Sequence, residues 1–173
     1  KLKEAINMLN ELERAGLNSF ELLLTKASVF SMLKDSKNAV KYFKSALLIA
    51  EEEDKDEVYL DLAMEFENMN NYNGALEVLH EAIKANPSNE SAIYEIAFCY
   101  DQLGEFEKSI KCYSDFIDEN PYSFTAWYNL GNAHSKLEDF EKAIWAYDYC
   151  VLINEDFGPV HFNIANAYLA IEK

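Results

Sequence analysis

The sequence predicts an all-α fold, an α-solenoid of stacked antiparallel helix pairs. Two observations carry this prediction: a pattern that recurs about every 34 residues, and apolar residues that are spaced three and four apart within each repeat. Only five glycines and three prolines occur among 173 residues, half of which are hydrophobic, so helices meet few breakers. A single array of repeats over residues 1–173 is therefore the expected organisation.

The period is clearest where residues 94–113 align with residues 128–147 and share the triplet Phe-Glu-Lys. Small residues recur at one position of the first predicted helix: Ala27, Ala63, Ala97, Gly131 and Ala165. Small residues recur again in the second helix: Ala5, Ala39, Ala75, Ser109 and Ala143. Helices approach each other most closely at small side chains, so these positions indicate where the two helices of a repeat cross. Two extra residues in the acidic segment 51–57 fit a surface loop.

Large residues complete each helix pair, because they lie on one stripe with the small ones. They recur in the first helix as Leu23, Tyr59, Ile93, Trp127 and His161. Polar turns such as Gln-Leu-Gly-Glu separate the two helices, and Pro87 and Pro121 belong in connections between repeats. The predicted elements in chain order are a second helix (1–16), four full repeats (20–52, 56–89, 90–123 and 124–157) and a first helix (158–173).

This pattern resembles the tetratricopeptide repeat family. The resemblance covers essentially the whole chain and is clearest in one repeat, through Trp127, Leu130, Gly131, His134, Ala143, Tyr147 and Cys150. The first full repeat departs most, since Lys26 stands where Leu is usual and Glu51 replaces Pro. The resemblance implies a right-handed superhelix whose first helices line a concave groove.

Groove positions follow from the face of each first helix that the core does not use. The predicted apolar and aromatic lining is Leu24, Leu60, Met64, Tyr94, Phe98, Tyr128 and Phe162. Four asparagines lie on or beside the same face: Asn129, Asn132, Asn163 and Asn166. The aromatic residues either anchor a partner or pack against neighbouring repeats, and the asparagines either hydrogen-bond a partner backbone or are only solvated.

The predicted function is a non-enzymatic scaffold that binds a peptide or helical segment of a partner protein. Relatives that grip a terminal carboxylate carry Lys, Arg and Asn in the groove, whereas apolar residues stand here, so an apolar or basic segment is the expected partner. Two alternatives stay open. Copies of the chain could stack through their terminal helices, or the array could be a regulatory or adaptor segment of a larger protein.

Charge and motifs narrow the function classes. The net charge of −16 argues against nucleic acid, because phosphate binding needs clustered Lys and Arg. Residues 1–50 hold eight basic and five acidic side chains, whereas residues 51–173 hold seven basic and 26 acidic side chains. The acidic segment 51–173 could therefore steer a basic partner. We expect no catalytic residues, metal or cofactor, since no triad, ligand set or phosphate loop is visible. We expect no membrane span, and the three cysteines favour a reducing compartment such as the cytoplasm.

Overall fold

The computed structural model describes residues 1–172, which form ten α-helices, one short 3-10 helix and no strand. The helices are α1 (Leu2–Arg14), α2 (Phe20–Met32), α3 (Ser36–Leu47), α4 (Lys55–Asn68), α5 (Tyr72–Ala85), α6 (Glu90–Gln102), α7 (Phe106–Glu119), α8 (Phe124–Lys136), α9 (Phe140–Ile153) and α10 (Gly158–Ile171). The 3-10 helix, Glu52–Asp54, lies in the acidic loop before α4. The predicted all-α fold of packed helix pairs is confirmed.

The chain divides into two compact units. The N-terminal unit spans Lys1–Ala92, and the C-terminal unit begins at Ile93. Each unit has its own apolar core, and the two are described separately below.

The turn between the two helices of each full repeat contains one residue with the same left-handed backbone conformation. The left-handed conformation recurs at Lys34, Asn70, Gly104 and Glu138, each just after the first helix of a repeat. This conformation ends a helix by presenting amide groups to its last carbonyls. For example, the amide of Asp139 donates to the carbonyl of His134. Three of the four residues are not glycine, which shows that the helix ending outweighs the steric cost of a side chain there.

Side-chain caps fix where several helices begin. Ser19, Asp35, Asn71 and Ser123 each accept a hydrogen bond from a backbone amide three residues later. Such caps satisfy amides that the first turn of a helix leaves without partners. They account for the abrupt change from polar turn to helix that the sequence pattern shows.

The core of the N-terminal unit contains the predicted small and large stripes. Its buried members are Leu23, Ala27, Ala39, Phe43, Ala46, Val58 and Leu62. Three charged residues of this unit, Lys26, Asp56 and Glu65, are also buried. The side chain of Lys26 on α2 is fully buried, and its Nζ lies 2.6 Å from Glu13 Oε2 on α1 and 4.3 Å from the centroid of the Tyr42 ring on α3. The departure from the family pattern at this position is therefore an ion pair inside the fold.

The core of the C-terminal unit is richer in aromatic residues. Gly131 in α8 lies directly against the ring of Tyr147 in α9, and a Cβ at position 131 would overlap that ring. Trp127 stacks on Tyr149, with ring centroids 4.5 Å apart, and its indole N–H donates to the carbonyl of Pro121. The small residue and the aromatic ring thus set the close approach of α8 and α9.

Candidate functional site

One of the predicted lining residues of the N-terminal unit, Met64, lines a small cavity. Met64 is half exposed, whereas Leu24 and Leu60 are partly buried, and Leu24 packs against the core. The cavity has a volume of about 190 Å³ between α2, α3 and α4, and its lining residues are Ser28, Ser31, Met32, Phe43, Asp61, Met64, Glu65 and Asn68. Of the predicted set, only Met64 lines it.

Tyrosine and asparagine residues form the same hydrogen bond twice in the C-terminal unit. The side-chain amide of Asn129 donates to the hydroxyl of Tyr94 at 2.6 Å. The side-chain amide of Asn163 donates to the hydroxyl of Tyr128 at 3.2 Å. The two residues of each pair are 35 positions apart in the sequence. Each pair joins the first helices of adjacent repeats, α6 to α8 in one case and α8 to α10 in the other. Asn129 and Asn163 are therefore bonded within the fold and are not merely solvated.

The rings of these two tyrosines pack inside the unit. Tyr94 meets Tyr113 and Phe116 edge to face, with centroid distances of 5.8 Å. Tyr128 meets Phe157 edge to face at 5.0 Å. Both rings are partly buried against the core, so they combine a packing role with a polar edge at the surface.

A polar pocket adjoins this network on the same face. Its volume is about 360 Å³, and it is lined by Asp101, Asn132, Ser135, Lys136, Tyr147, Asn163 and Asn166. Asn132 is held in place because its Oδ1 accepts from the Tyr147 hydroxyl and from the Asn163 amide, both at 2.9 Å. Those bonds leave the Asn132 amide N–H groups to act as donors.

Burial tunes two ionisable groups at this pocket. It raises the pKa of the Asp101 carboxyl, although the charge of Lys136 acts in the opposite direction. It also raises the pKa of Tyr147 to about 12, so this hydroxyl stays protonated and donates to Asn132 at neutral pH. Asp101 Oδ1 is buried and has no hydrogen-bond partner among the described residues. The pocket thus offers a carboxylate, an ammonium group, amides and a hydroxyl.

The predicted residues of the C-terminal unit differ in how they meet this pocket. Asn132, Asn163 and Asn166 line it, while Phe162 lies one turn before Asn166 on α10 and is 69% exposed. Phe98 is partly buried on α6. Sequence reasoning missed Asp101 and Lys136. The signal for Asp101 was its place one turn beyond Phe98 on the predicted face of α6.

The described residues hold no group of three or more His, Cys, Asp or Glu side chains arranged to bind a metal ion. Within residues 1–172, no helix has both the length and the apolar character that crossing a membrane requires.

Fold and surface together define a helical-repeat protein with a polar, tyrosine-and-asparagine-lined face. Three segments match tetratricopeptide repeat families, residues 20–53, 68–121 and 100–151. The chain belongs to the tetratricopeptide repeat family, as the sequence pattern predicts. A comparison with curated protein sequences finds no match.

Solved structures share the fold at low sequence identity. A crystal structure of MamA has a TM-score of 0.81 and 21% identity, and the match covers 91% of each chain. YrrB, described as a TPR protein with an unusual peptide-binding site, has a TM-score of 0.79 and 19% identity, over 93% of this chain and 82% of its own. The C-terminal part of a TPR repeat-containing protein from Cytophaga hutchinsonii has a TM-score of 0.87 and 17% identity, over 99% and 67%.

Proposed function

We propose that the chain is a protein-interaction scaffold whose C-terminal unit binds an extended peptide segment of a partner protein. The polar pocket lined by residues of α6, α8, α9 and α10 carries this proposal. It is lined almost entirely by groups that hydrogen-bond, and it contains both donors and acceptors. A peptide backbone presents both kinds of group at every residue except proline, so a surface that offers both matches most sequences.

The asparagines are the clearest contact groups. Asn132 is oriented by two hydrogen bonds before any partner arrives, which lowers the entropy lost on binding. Asn166 is exposed on α10 and lines the same pocket one repeat further along. Two amides one repeat apart could therefore bond successive parts of an extended segment.

An apolar contact lies beside these amides. Phe162 is among the most exposed aromatic side chains in the described residues, and it shares a face of α10 with Asn166. Aromatic residues next to polar groups are common anchors at protein interfaces. Burial of Phe162 under a partner side chain would supply affinity, and the amides would fix the register of the segment. The predicted aromatic contribution is then carried by Phe162 more than by Tyr94 and Tyr128, whose rings already pack on the core.

Selection of peptides from a random displayed library, with the intact chain immobilised, tests this function. We expect enriched peptides whose affinity falls at least about tenfold in Asn166→Ala and in Phe162→Ser, since each removes a contact worth about 1–2 kcal/mol. Both residues are exposed, so both variants should keep the wild-type far-ultraviolet circular dichroism spectrum.

Tyr168→Ser is the matched control, because it removes another exposed aromatic residue of α10 that lies off the pocket face. Peptide affinity should be unchanged in this variant. Two outcomes would rule out the peptide site. One is that no peptide is enriched, and the other is that Asn166→Ala and Phe162→Ser bind the enriched peptides as tightly as the wild type does.

Association of copies is a second candidate, favoured by exposed apolar residues near the end of α10, namely Tyr168, Leu169 and Ile171. Two other apolar residues of α10 contribute less to such an interface, because Ala167 is buried and Ile164 packs against the core of its own unit. Sedimentation velocity over a hundredfold concentration range should then show a dimer or larger species in the wild type and less of it in Tyr168→Ser. A monomer at every concentration would rule this candidate out.

A further inference from the structure

Glu65 occupies a position that the other repeats use for apolar packing. Stepping along the chain by the repeat length leads from Glu65 to Val29, Cys99, Ala133 and Ala167, all of which are buried. Glu65 is equally buried, with 2% of its surface exposed. A carboxylate is costly at such a position unless something compensates its charge.

Nothing within the described residues provides that compensation at one of its oxygens. Glu65 Oε2 is buried and has no hydrogen-bond partner there. Glu65 also lines the cavity of about 190 Å³ between α2, α3 and α4, and no Lys or Arg is among the residues that line it. A buried acceptor that lacks a partner and lines a cavity can accept a hydrogen bond from a cationic donor outside the fold.

The rest of the cavity suits the same kind of ligand. Asp61 lies one turn before Glu65 on α4, and Ser28 and Ser31 provide hydroxyls from α2. Asp61 is exposed to solvent, yet the pKa of its carboxyl is raised, first by loss of hydration among the surrounding groups and then by the charges of Glu57 and Glu65. A cation placed between Asp61 and Glu65 would relieve this repulsion.

The cavity entrance favours a charged group on an apolar stem. Met32 and Met64 line the cavity and are exposed, by 67% and 51%. Methionine side chains adapt to irregular apolar partners, and the stems of Lys and Arg pack on such surfaces while their charged ends reach a polar site. A free inorganic cation would leave these two side chains unused.

We infer that this cavity binds the cationic side chain of a Lys or Arg residue of a partner polypeptide. The ammonium or guanidinium group donates to Glu65 and Asp61, and the aliphatic stem packs between Met32 and Met64. The acidic net charge of the chain favours the approach of such a partner. The inference rests on the proposed role in binding polypeptides, but it concerns a different unit from the peptide pocket, so the two can fail separately.

Nuclear magnetic resonance titration of the intact chain tests it with small probes. Nα-acetyl-lysine methylamide and Nα-acetyl-arginine methylamide should cause saturable shifts at the amides of Ser28, Ser31 and Asn68. Nα-acetyl-norleucine methylamide, which has an uncharged stem, should not. Glu65→Gln keeps the shape of the side chain and should weaken binding of the charged probes at least about tenfold, because a charge-assisted hydrogen bond is lost. Glu77→Gln, an exposed site on α5, is the control and should bind as the wild type does.

Thermal unfolding separates a binding defect from a folding defect. Loss of a buried unpaired charge should leave the Tm of Glu65→Gln equal to or above that of the wild type. If this variant does not fold, Asp61→Asn at the exposed rim carries the same test. Equal shifts with the norleucine probe, no saturable shift, or unchanged binding in both variants would overturn the inference. Tighter binding of spermidine than of either side-chain probe would also overturn it and indicate a free polyamine as ligand.

Discussion

Gly131→Val should lower the free energy of unfolding by roughly 3 kcal/mol, near the upper end for overpacked cores. The cause is the contact between α8 and α9, where a Cβ at position 131 overlaps the ring of Tyr147. That ring is almost fully buried, so it cannot move without disturbing the side chains packed around it. A branched side chain would therefore push the two helices apart.

The same variant should disable the peptide pocket. Tyr147 lines the pocket and donates to Asn132, so displacement of its ring removes one of the two bonds that orient that asparagine. Peptide affinity should fall, while the shifts caused by the lysine probe in the N-terminal unit persist. This difference would show that the effect is confined to the C-terminal unit.

Urea unfolding followed by tryptophan fluorescence provides the measurement, since Trp127 and Trp145 both lie in the C-terminal unit. Gly131→Ala is the graded control. It adds the overlapping Cβ but gains about 1 kcal/mol in helix propensity, so its net cost should be roughly 1 kcal/mol. The equivalent position in the preceding repeat is Ala97, which shows that a methyl group can be accommodated when the facing helix adjusts. A cost below 1 kcal/mol for Gly131→Val would contradict the packing argument.

The fold is predictable from the sequence because every repeat has the same pattern of small and large residues. The recurrence of Ala27, Ala63, Ala97 and Gly131 indicates where the helices cross. A repeat that departs from the pattern can still be assigned because the other repeats keep it. Local signals such as the cap at Ser19 add to this agreement. Helix number, order and pairing were therefore predictable without any structure.

The surface was less predictable, since the pattern constrains the core and leaves the other faces open. Period analysis places Asn129 and Asn163 on or beside the groove face but gives no information on their hydrogen bonds to Tyr94 and Tyr128 in the first helix of the preceding repeat. These bonds depend on the distance between the two helices, and that distance cannot be read from the spacing of residues in the sequence. The sequence does contain the polar exceptions to its own core pattern, Lys26 and Glu65. Both are buried, but Lys26 pairs with Glu13, whereas Glu65 Oε2 has no hydrogen-bond partner among the described residues.

Lys26→Ala should lower the free energy of unfolding by about 3 kcal/mol, as truncation of a long buried side chain leaves a cavity. Lys26→Met should cost less than about 1 kcal/mol, because replacement of a buried charged group by an apolar one of similar size is often neutral. The comparison separates burial of the aliphatic stem from the contribution of the charge, whose Nζ lies over the ring of Tyr42. A cost for Lys26→Met as large as that for Lys26→Ala would show that the charge dominates.

Removal of the partner alone should have an intermediate effect. Glu13→Ala leaves the Lys26 ammonium buried without its carboxylate, but Glu13 is 43% exposed, so water can enter where it stood. We expect a cost of about 1–2 kcal/mol, below the range for a fully buried pair. The double variant Glu13→Ala with Lys26→Met should then be no less stable than Glu13→Ala by itself.

The pH dependence provides an independent test of the ion pair. Burial acts to lower the pKa of Lys26, but the interactions of its ammonium group with Glu13 and Tyr42 outweigh burial, and the pKa is raised. A raised pKa in the folded state means that the pair stabilises the fold fully below the unfolded value, about 10.4, and loses this contribution as the pH rises through the folded value. The difference in unfolding free energy between wild type and Lys26→Met should therefore be constant from about pH 7 to 9. It should change in favour of the variant above about pH 10.4, because deprotonation of Lys26 weakens only the wild type.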